Sequence, residues 1–263
     1  MKIAVIGAGN MGGATARGLV KAGAVKASDV TVSDISQKVL DAFSVHGYNT
    51  TNDNAQAVKG ADVVFLVVKP WLVEELISEI KPELNYPSQI IVCIAAGISP
   101  GQLSDWLGTD ADGFQAQSLL AIPNTAIEIL QSMTFITPVV AGADTIDIVK
   151  GLFDSVGTAM VIDYGHMGAA TALASCGIAY AMRYIRASAE GGVEMGFYPA
   201  DAVKIVCQTV KGAAGLLSQP GAHPEAEIDK VTTPGGITIK GLNEMEHAGF
   251  TSAVIRGLKA SKK

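Results

Sequence analysis

The chain has 263 residues, of which 49% are hydrophobic and 17% charged, which excludes a disordered polymer and allows one large or two modest domains with real cores. A formal net charge of −6 argues against a polyanionic partner such as nucleic acid, and the terminal Lys259, Lys262 and Lys263 read as a solvated tail. No apolar run is long enough to span a membrane, and Cys93, Cys176 and Cys207, with no C-x-x-C pair, read as buried free thiols of a cytoplasmic protein.

Lys2–Ile6 is a short β-branched run that enters glycines at once, so it reads as a first strand rather than a secretion signal. Further strands are expected at Val30–Ser33, Val63–Val67, Gln89–Ile94, Gln117–Ile122, Thr134–Thr137 and Met160–Ile162. Amphipathic segments at Met11–Lys21, Gln37–Val45, Leu72–Ile80 and Asp144–Phe153 alternate with them. The alternation predicts βαβ units, hence an α/β Rossmann domain with a doubly wound, mostly parallel sheet. After about Tyr164 the pattern becomes helical: His166–Glu190 and Asp201–Leu217 read as long helices separated by a turn-rich Gly191–Pro199. Val203, Val206, Val210, Ala213 and Leu217 recur at three- and four-residue spacing, the pattern of a helix–helix seam. Two domains are therefore expected, an α/β domain over residues 1–163 and an all-α domain over 164–263 that is either an ordinary intrachain helical domain or one that also dimerises.

Gly7-Ala8-Gly9-Asn10-Met11-Gly12 sits between the first strand and the first helix, in G-x-G-x-x-G register. Gly7 permits the tight turn, Gly9 lets the backbone approach a pyrophosphate, and Gly12 lets helix pack on strand. The free amides at Asn10 and Met11 then face the phosphate charge. Asp34 ends the second strand about twenty residues on. A carboxylate there accepts from ribose hydroxyls and repels a 2′-phosphate, so NADH is favoured over NADPH, with Lys38 as a partial counterweight. The competing role for Asp34 or Ser36 is to cap the next helix.

Four more stretches carry a resemblance. Val68-Lys69-Pro70, Ile94-Ala95-Ala96-Gly97-Ile98, Pro123-Asn124-Thr125 and Thr233-Pro234-Gly235-Gly236-Ile237-Thr238-Ile239 are similar, in this order, to the V-K-P, I-A-A-G-I, P-N-T and S-P-G-G-x-T-I segments of pyrroline-5-carboxylate reductases. The resemblance implies NAD(P)H-dependent reduction of the imine of 1-pyrroline-5-carboxylate to L-proline by an interlocked homodimer or a higher homo-oligomer. It implies that Val68, Lys69 and Pro70, Ala95, Ala96 and Gly97, and Asn124 border the cofactor. It also implies that Thr233, Gly235, Gly236, Ile237 and Thr238 bind the substrate, whose carboxylate is held largely by backbone amides from Gly235 to Thr238. The Thr238 hydroxyl, as the catalytic group, contacts the ring nitrogen. No metal is implied. A protonated imine is already electrophilic, so the task is alignment and exclusion of water, which agrees with the lack of H-E-x-x-H, a carboxylate pair or G-x-S-x-G.

There are departures. Thr171-Ala172-Leu173-Ala174-Ser175-Cys176-Gly177-Ile178-Ala179-Tyr180 stands where the family has a stretch close to T-A-L-S-G-S-G-P-A-Y. The upstream glutamate is absent, Leu120-Ala121 replaces a basic residue, and Ala126 and Thr233 stand for proline and serine. These leave room for a related cyclic imine. A β-hydroxyacid dehydrogenase is the competing enzyme, with Lys204 or Lys211 as acid/base, and a non-catalytic dinucleotide sensor is the competing binder.

Overall fold

The computed structural model describes residues 1–262 and divides into two compact units, Met1–Ser175 and Cys176–Lys262. The first unit runs β1 (Ile3–Ile6), α1 (Asn10–Lys21), β2 (Val30–Ser33), α2 (Gln37–Ser44), β3 (Asn49–Thr51), α3 (Asn54–Val58), β4 (Val63–Leu66) and α4 (Val73–Ile80). It continues with β5 (Ile90–Cys93), α5 (Pro100–Leu107), β6 (Gln117–Ile122), β7 (Ser132–Val140), α6 (Ala143–Asp154), β8 (Gly157–Val161) and α7 (Met167–Ala170). The sheet order is β3-β2-β1-β4-β5-β6-β7-β8. The first six strands are mutually parallel, β7 runs antiparallel to β6, and β8 is parallel to β7. This is the Rossmann arrangement with a two-strand extension, the α/β class read from the sequence.

Each central strand buries both faces, which is why it reads as a continuous apolar run. Ile3, Val5, Val63, Phe65, Ile90, Val92, Leu119 and Ala121 face one layer, packed under Leu19 of α1, Phe43 of α2 and Phe153 of α6. Ala4, Ile6, Val64, Leu66, Ile91, Cys93, Leu120 and Ile122 face the other, under α3, α4 and α5. Burial pushes the Cys93 thiol up to about 11, so this cysteine is an inert packing residue.

Several elements escape the sequence pattern, β3 and α5 among them. β3 is only Asn-Thr-Thr, an edge strand with no buried residue and therefore no apolar alternation. α5 begins with a capping box: the Gln102 amide donates to Ser99 Oγ at 3.2 Å and the Ser99 amide to Gln102 Oε1 at 3.0 Å. The long helix expected from His166 is interrupted. A 3₁₀ turn, Tyr164–His166, leads into α7, then a π turn over Thr171–Cys176 intervenes. The Thr171 hydroxyl bonds back to the Met167 carbonyl at 2.7 Å, the kind of contact that bends a helix.

The second unit holds α8 (Gly177–Glu194), α9 (Pro199–Leu217), α10 (Pro224–Lys230), α11 (Ile237–His247) and α12 (Phe250–Ala260). α8 runs through Gly191 and Gly192, so the expected turn shrinks to Met195–Tyr198. A Cβ on Gly192 would sit 3.1 Å from Ala202 Cβ, so α8 and α9 approach closely there. Apart from Ala189, Gly192 and Ala202, little in this unit is buried, and Val203 and Leu217 of the expected seam are each 43% exposed. Cys207 is likewise exposed and Cys176 half-buried, which corrects the reading of all three thiols as core. Periodicity marks an apolar helix face but not what covers it. Lys259 lies in α12, and Lys263 of the expected tail lies outside the described residues. No helix among the described residues is long and apolar enough to cross a membrane.

Phe153, 1% exposed and packed edge-on against Phe65 with ring centres 5.9 Å apart, anchors one layer. Phe153→Ala is expected to cost about 3–5 kcal/mol, read as a lower urea midpoint at unchanged slope.

Candidate functional site

Because β1, β2, β4, β5 and β6 are parallel, the segments that leave their C-terminal ends all emerge at one edge of the sheet. That edge gathers Gly7, Gly9, Asn10, Met11 and Gly12 after β1, and Asp34 after β2. It also gathers Val68, Lys69 and Pro70 after β4, Ala95, Ala96 and Gly97 after β5, and Asn124 after β6. Every residue read from the sequence as bordering a dinucleotide is therefore brought to one place.

The glycine turn has the geometry its spacing demands. Gly7 has φ +90, and a Cβ on it would lie 2.8 Å from the Val67 carbonyl oxygen. A Cβ on Gly12 would fall 1.9 Å from the Gly7 carbonyl oxygen, so only glycine lets α1 start this close to the turn. Around Gly9 nothing lies within 4 Å of the Cβ position, so the backbone there is open to a ligand. The first bond at the head of α1 runs from Gly13 N–H to the Gly9 carbonyl, leaving the Asn10, Met11 and Gly12 amides outside the helical ladder.

Asp34 is tied into this turn. Its Oδ2 accepts from the Ala8 amide at 2.8 Å and its Oδ1 from the Ser36 amide at 2.9 Å. The second contact is local, of the kind that competes with a ligand for this carboxylate. The first is not legible in the sequence, since nothing in the spacing says that a carboxylate 26 residues away reaches Ala8. An ionised carboxylate has about four acceptor sites, so two remain open. Lys69 is exposed, whereas Asn124 is buried, accepts from the Ala126 amide at 3.0 Å, and donates its own amide to Ser132 Oγ at 3.2 Å.

In the second unit, Thr233, Gly235, Gly236, Ile237 and Thr238 form the turn that opens α11. Gly235 has φ +72, and a Cβ on Gly236 would meet Thr233 Oγ1 at 2.6 Å. The Gly236 amide closes the turn on the Thr233 carbonyl at 2.9 Å, while the Ile237 and Thr238 amides are opening amides of an eleven-residue helix. Ile237 is 88% exposed and Thr238 is exposed. Lys204 and Lys211, the lysines a hydroxyacid dehydrogenase would need, are exposed on α9. Hollows in each unit are lined by other residues than the turn of that unit. One of about 410 Å³ beside Ser88, Gln117 and Thr145 is at the opposite edge of the sheet, and one of about 590 Å³ runs along Phe197, Asp201 and Ile205.

Comparison with known proteins settles the lineage. Residues 165–263 match the family described as pyrroline-5-carboxylate reductase dimerisation, and residues 2–97 the one described as NADP oxidoreductase coenzyme F420-dependent. Pyrroline-5-carboxylate reductase 2 of Dictyostelium discoideum is 36% identical over 98% of this chain and 90% of its own length. The chain belongs to the pyrroline-5-carboxylate reductase family. Pyrroline-5-carboxylate reductase 1 of the same organism is 38% identical over 98% of this chain, which spans about half, 48%, of that relative. The fold is that of a Plasmodium falciparum pyrroline carboxylate reductase solved with NADP bound, at TM-score 0.88 and 24% identity over 99% of this chain and 95% of that one. The reductase resemblance carried by a few short segments thus extends over nearly the whole chain, despite Ser175, Cys176 and Ile178.

Asp34→Ala removes the acceptor of two amides, one of them inside the glycine turn. A loss of about 1–3 kcal/mol is expected, measured as a shift in urea midpoint without cofactor.

Proposed function

We propose that this chain is a pyrroline-5-carboxylate reductase: it reduces the imine of 1-pyrroline-5-carboxylate to L-proline with NADH or NADPH, closing proline biosynthesis. The observation that carries the reading is the conjunction of a glycine turn, an acidic residue, and the V-K-P, A-A-G and P-N-T turns on one sheet edge. Relatives of that name, matched over nearly the full chain, support it.

The edge suits a dinucleotide. The open backbone at Gly9 and the unpaired amides of Asn10, Met11 and Gly12 hold the pyrophosphate. Asp34 keeps acceptor sites for a ribose and sets a negative charge against a 2′-phosphate, which supports NADH as the preferred donor. Lys69-Pro70 and Ala95–Gly97 border the nicotinamide side. Bound there, the reduced nicotinamide supplies the hydride. Residues 1–163 hold the cofactor and residues 164–263 hold the substrate and dimerise. Thr233, Gly235 and Gly236 keep the second turn narrow, the Ile237 and Thr238 amides hold the substrate carboxylate, and the Thr238 hydroxyl contacts the ring nitrogen. No residue with a matched pKa is required, because the protonated imine is itself the electrophile; the residues orient it and exclude water.

Tyr180, Met182, Tyr184, Val203, Leu217 and Ile255 of the second unit are all at least 39% exposed. That much uncovered apolar surface supports a homodimer or higher homo-oligomer through this unit. The free cysteines suit a reducing compartment such as the cytoplasm.

Mixing the purified chain with 1-pyrroline-5-carboxylate and NADH is expected to consume the reduced cofactor, read at its absorbance band; no turnover with either NADH or NADPH refutes the assignment. Thr238→Ala is expected to lower kcat about tenfold, the weight of one hydrogen bond to a charged group, with NADH binding intact. Equal loss of NADH binding would place this turn at the wrong ligand. Asp34→Ser is expected to reduce the NADH/NADPH ratio of kcat/KM about five- to tenfold, the scale of a near-surface charge repulsion. An unchanged ratio removes Asp34 from specificity.

A further inference from the structure

The peptide bond between Pro123 and Asn124 is held at both of its polar ends. Its carbonyl, on Pro123, accepts from Ser175 Oγ at 3.0 Å; its N–H, on Asn124, donates to Ser132 Oγ at 3.2 Å. The Ser132 oxygen lies 3.1 Å from Thr134 Oγ1, and Ser132, Thr134 and Asn124 are all buried. A planar peptide unit turns only about the soft torsion on either side of it. Bonds at both ends arrest that rotation, fixing ψ of Pro123 and φ of Asn124, while the proline ring already limits the φ before it.

Ser175 reaches across 52 residues of sequence because of the π turn. Widening one turn by a residue rotates the rest of the helix by about 100° relative to a regular α-helix.

We infer that Ser175 is a positioning residue for the dinucleotide: with Ser132 it clamps the Pro123–Asn124 peptide and holds the Asn124 turn where it borders the cofactor. This rests on placing the dinucleotide at the carboxyl edge of the sheet. Alanine is a better helix former than serine, so Ser175→Ala keeps its helix while losing the bond.

The test is NADH titration by fluorescence on the full-length protein, with KM and kcat for the imine measured alongside. Ser175→Ala is expected to weaken NADH binding about three- to tenfold, the span of one neutral hydrogen bond, with imine KM unchanged. Ser175→Thr, which retains a hydroxyl, restores most of the affinity. Ser132→Ala causes a similar loss, and the double variant falls short of the product of the two, since both residues hold one peptide. Thr171→Val removes a hydroxyl of the same π turn that bonds only within its own helix, and it leaves NADH affinity unchanged. A Ser175→Ala protein that melts earlier yet binds NADH normally overturns the inference, as does a loss that threonine fails to restore. If the unaltered protein binds no dinucleotide, the site reading falls with it; if it binds and Ser175→Ala matches it, only the inference falls.

Discussion

Burial of a parallel sheet on both faces is the constraint on which the rest of the first unit depends. Strands such as Val63–Leu66 and Ile90–Cys93 are apolar at every position, so helices must cover both sides, and every crossover must return the chain in the same direction. Loops that carry chemistry then have only one edge at which to collect. The glycine turn, Asp34 and the turns after β4, β5 and β6 are neighbours for that reason, although they are far apart along the chain.

The two units solve different physical problems. The first has a deep core and places polar groups at its edge with specific bonds, as Asp34 does with Ala8 and Ser132 with Asn124. The second buries little more than the small residues where α8 meets α9 and leaves broad aromatic and aliphatic faces uncovered. A unit of this size with so little interior of its own is marginal by its own core. Both units use one device, a glycine turn that frees amides at the start of a helix.

Much of the site is legible in the sequence because it is written in local rules. Gly7 and Gly12 meet each other directly across one tight turn, and strand, turn, helix and acidic residue succeed one another at fixed spacing. Thr233–Thr238 is legible for the same reason, since a Pro-Gly-Gly turn before a helix encodes its own conformation. The illegible parts are long-range or context-bound. The polar edge strand Asn49–Thr51 exists only because β2 offers it a partner, and the break in the helix after Ala170 is accompanied by a side-chain bond that periodicity does not register.

Fold class, the place of the glycine turn after β1 and the turn at the head of α11 are properties of the sequence alone, because apolar period and glycine geometry act over a few residues. Folding was needed to set Asp34 against Ala8, to put Ser175 and Ser132 at opposite ends of one peptide, and to leave Cys207 on an uncovered face. Those arrangements depend on which distant segments the sheet and the π turn bring within about 3 Å, the reach of a hydrogen bond, and no local pattern carries that distance.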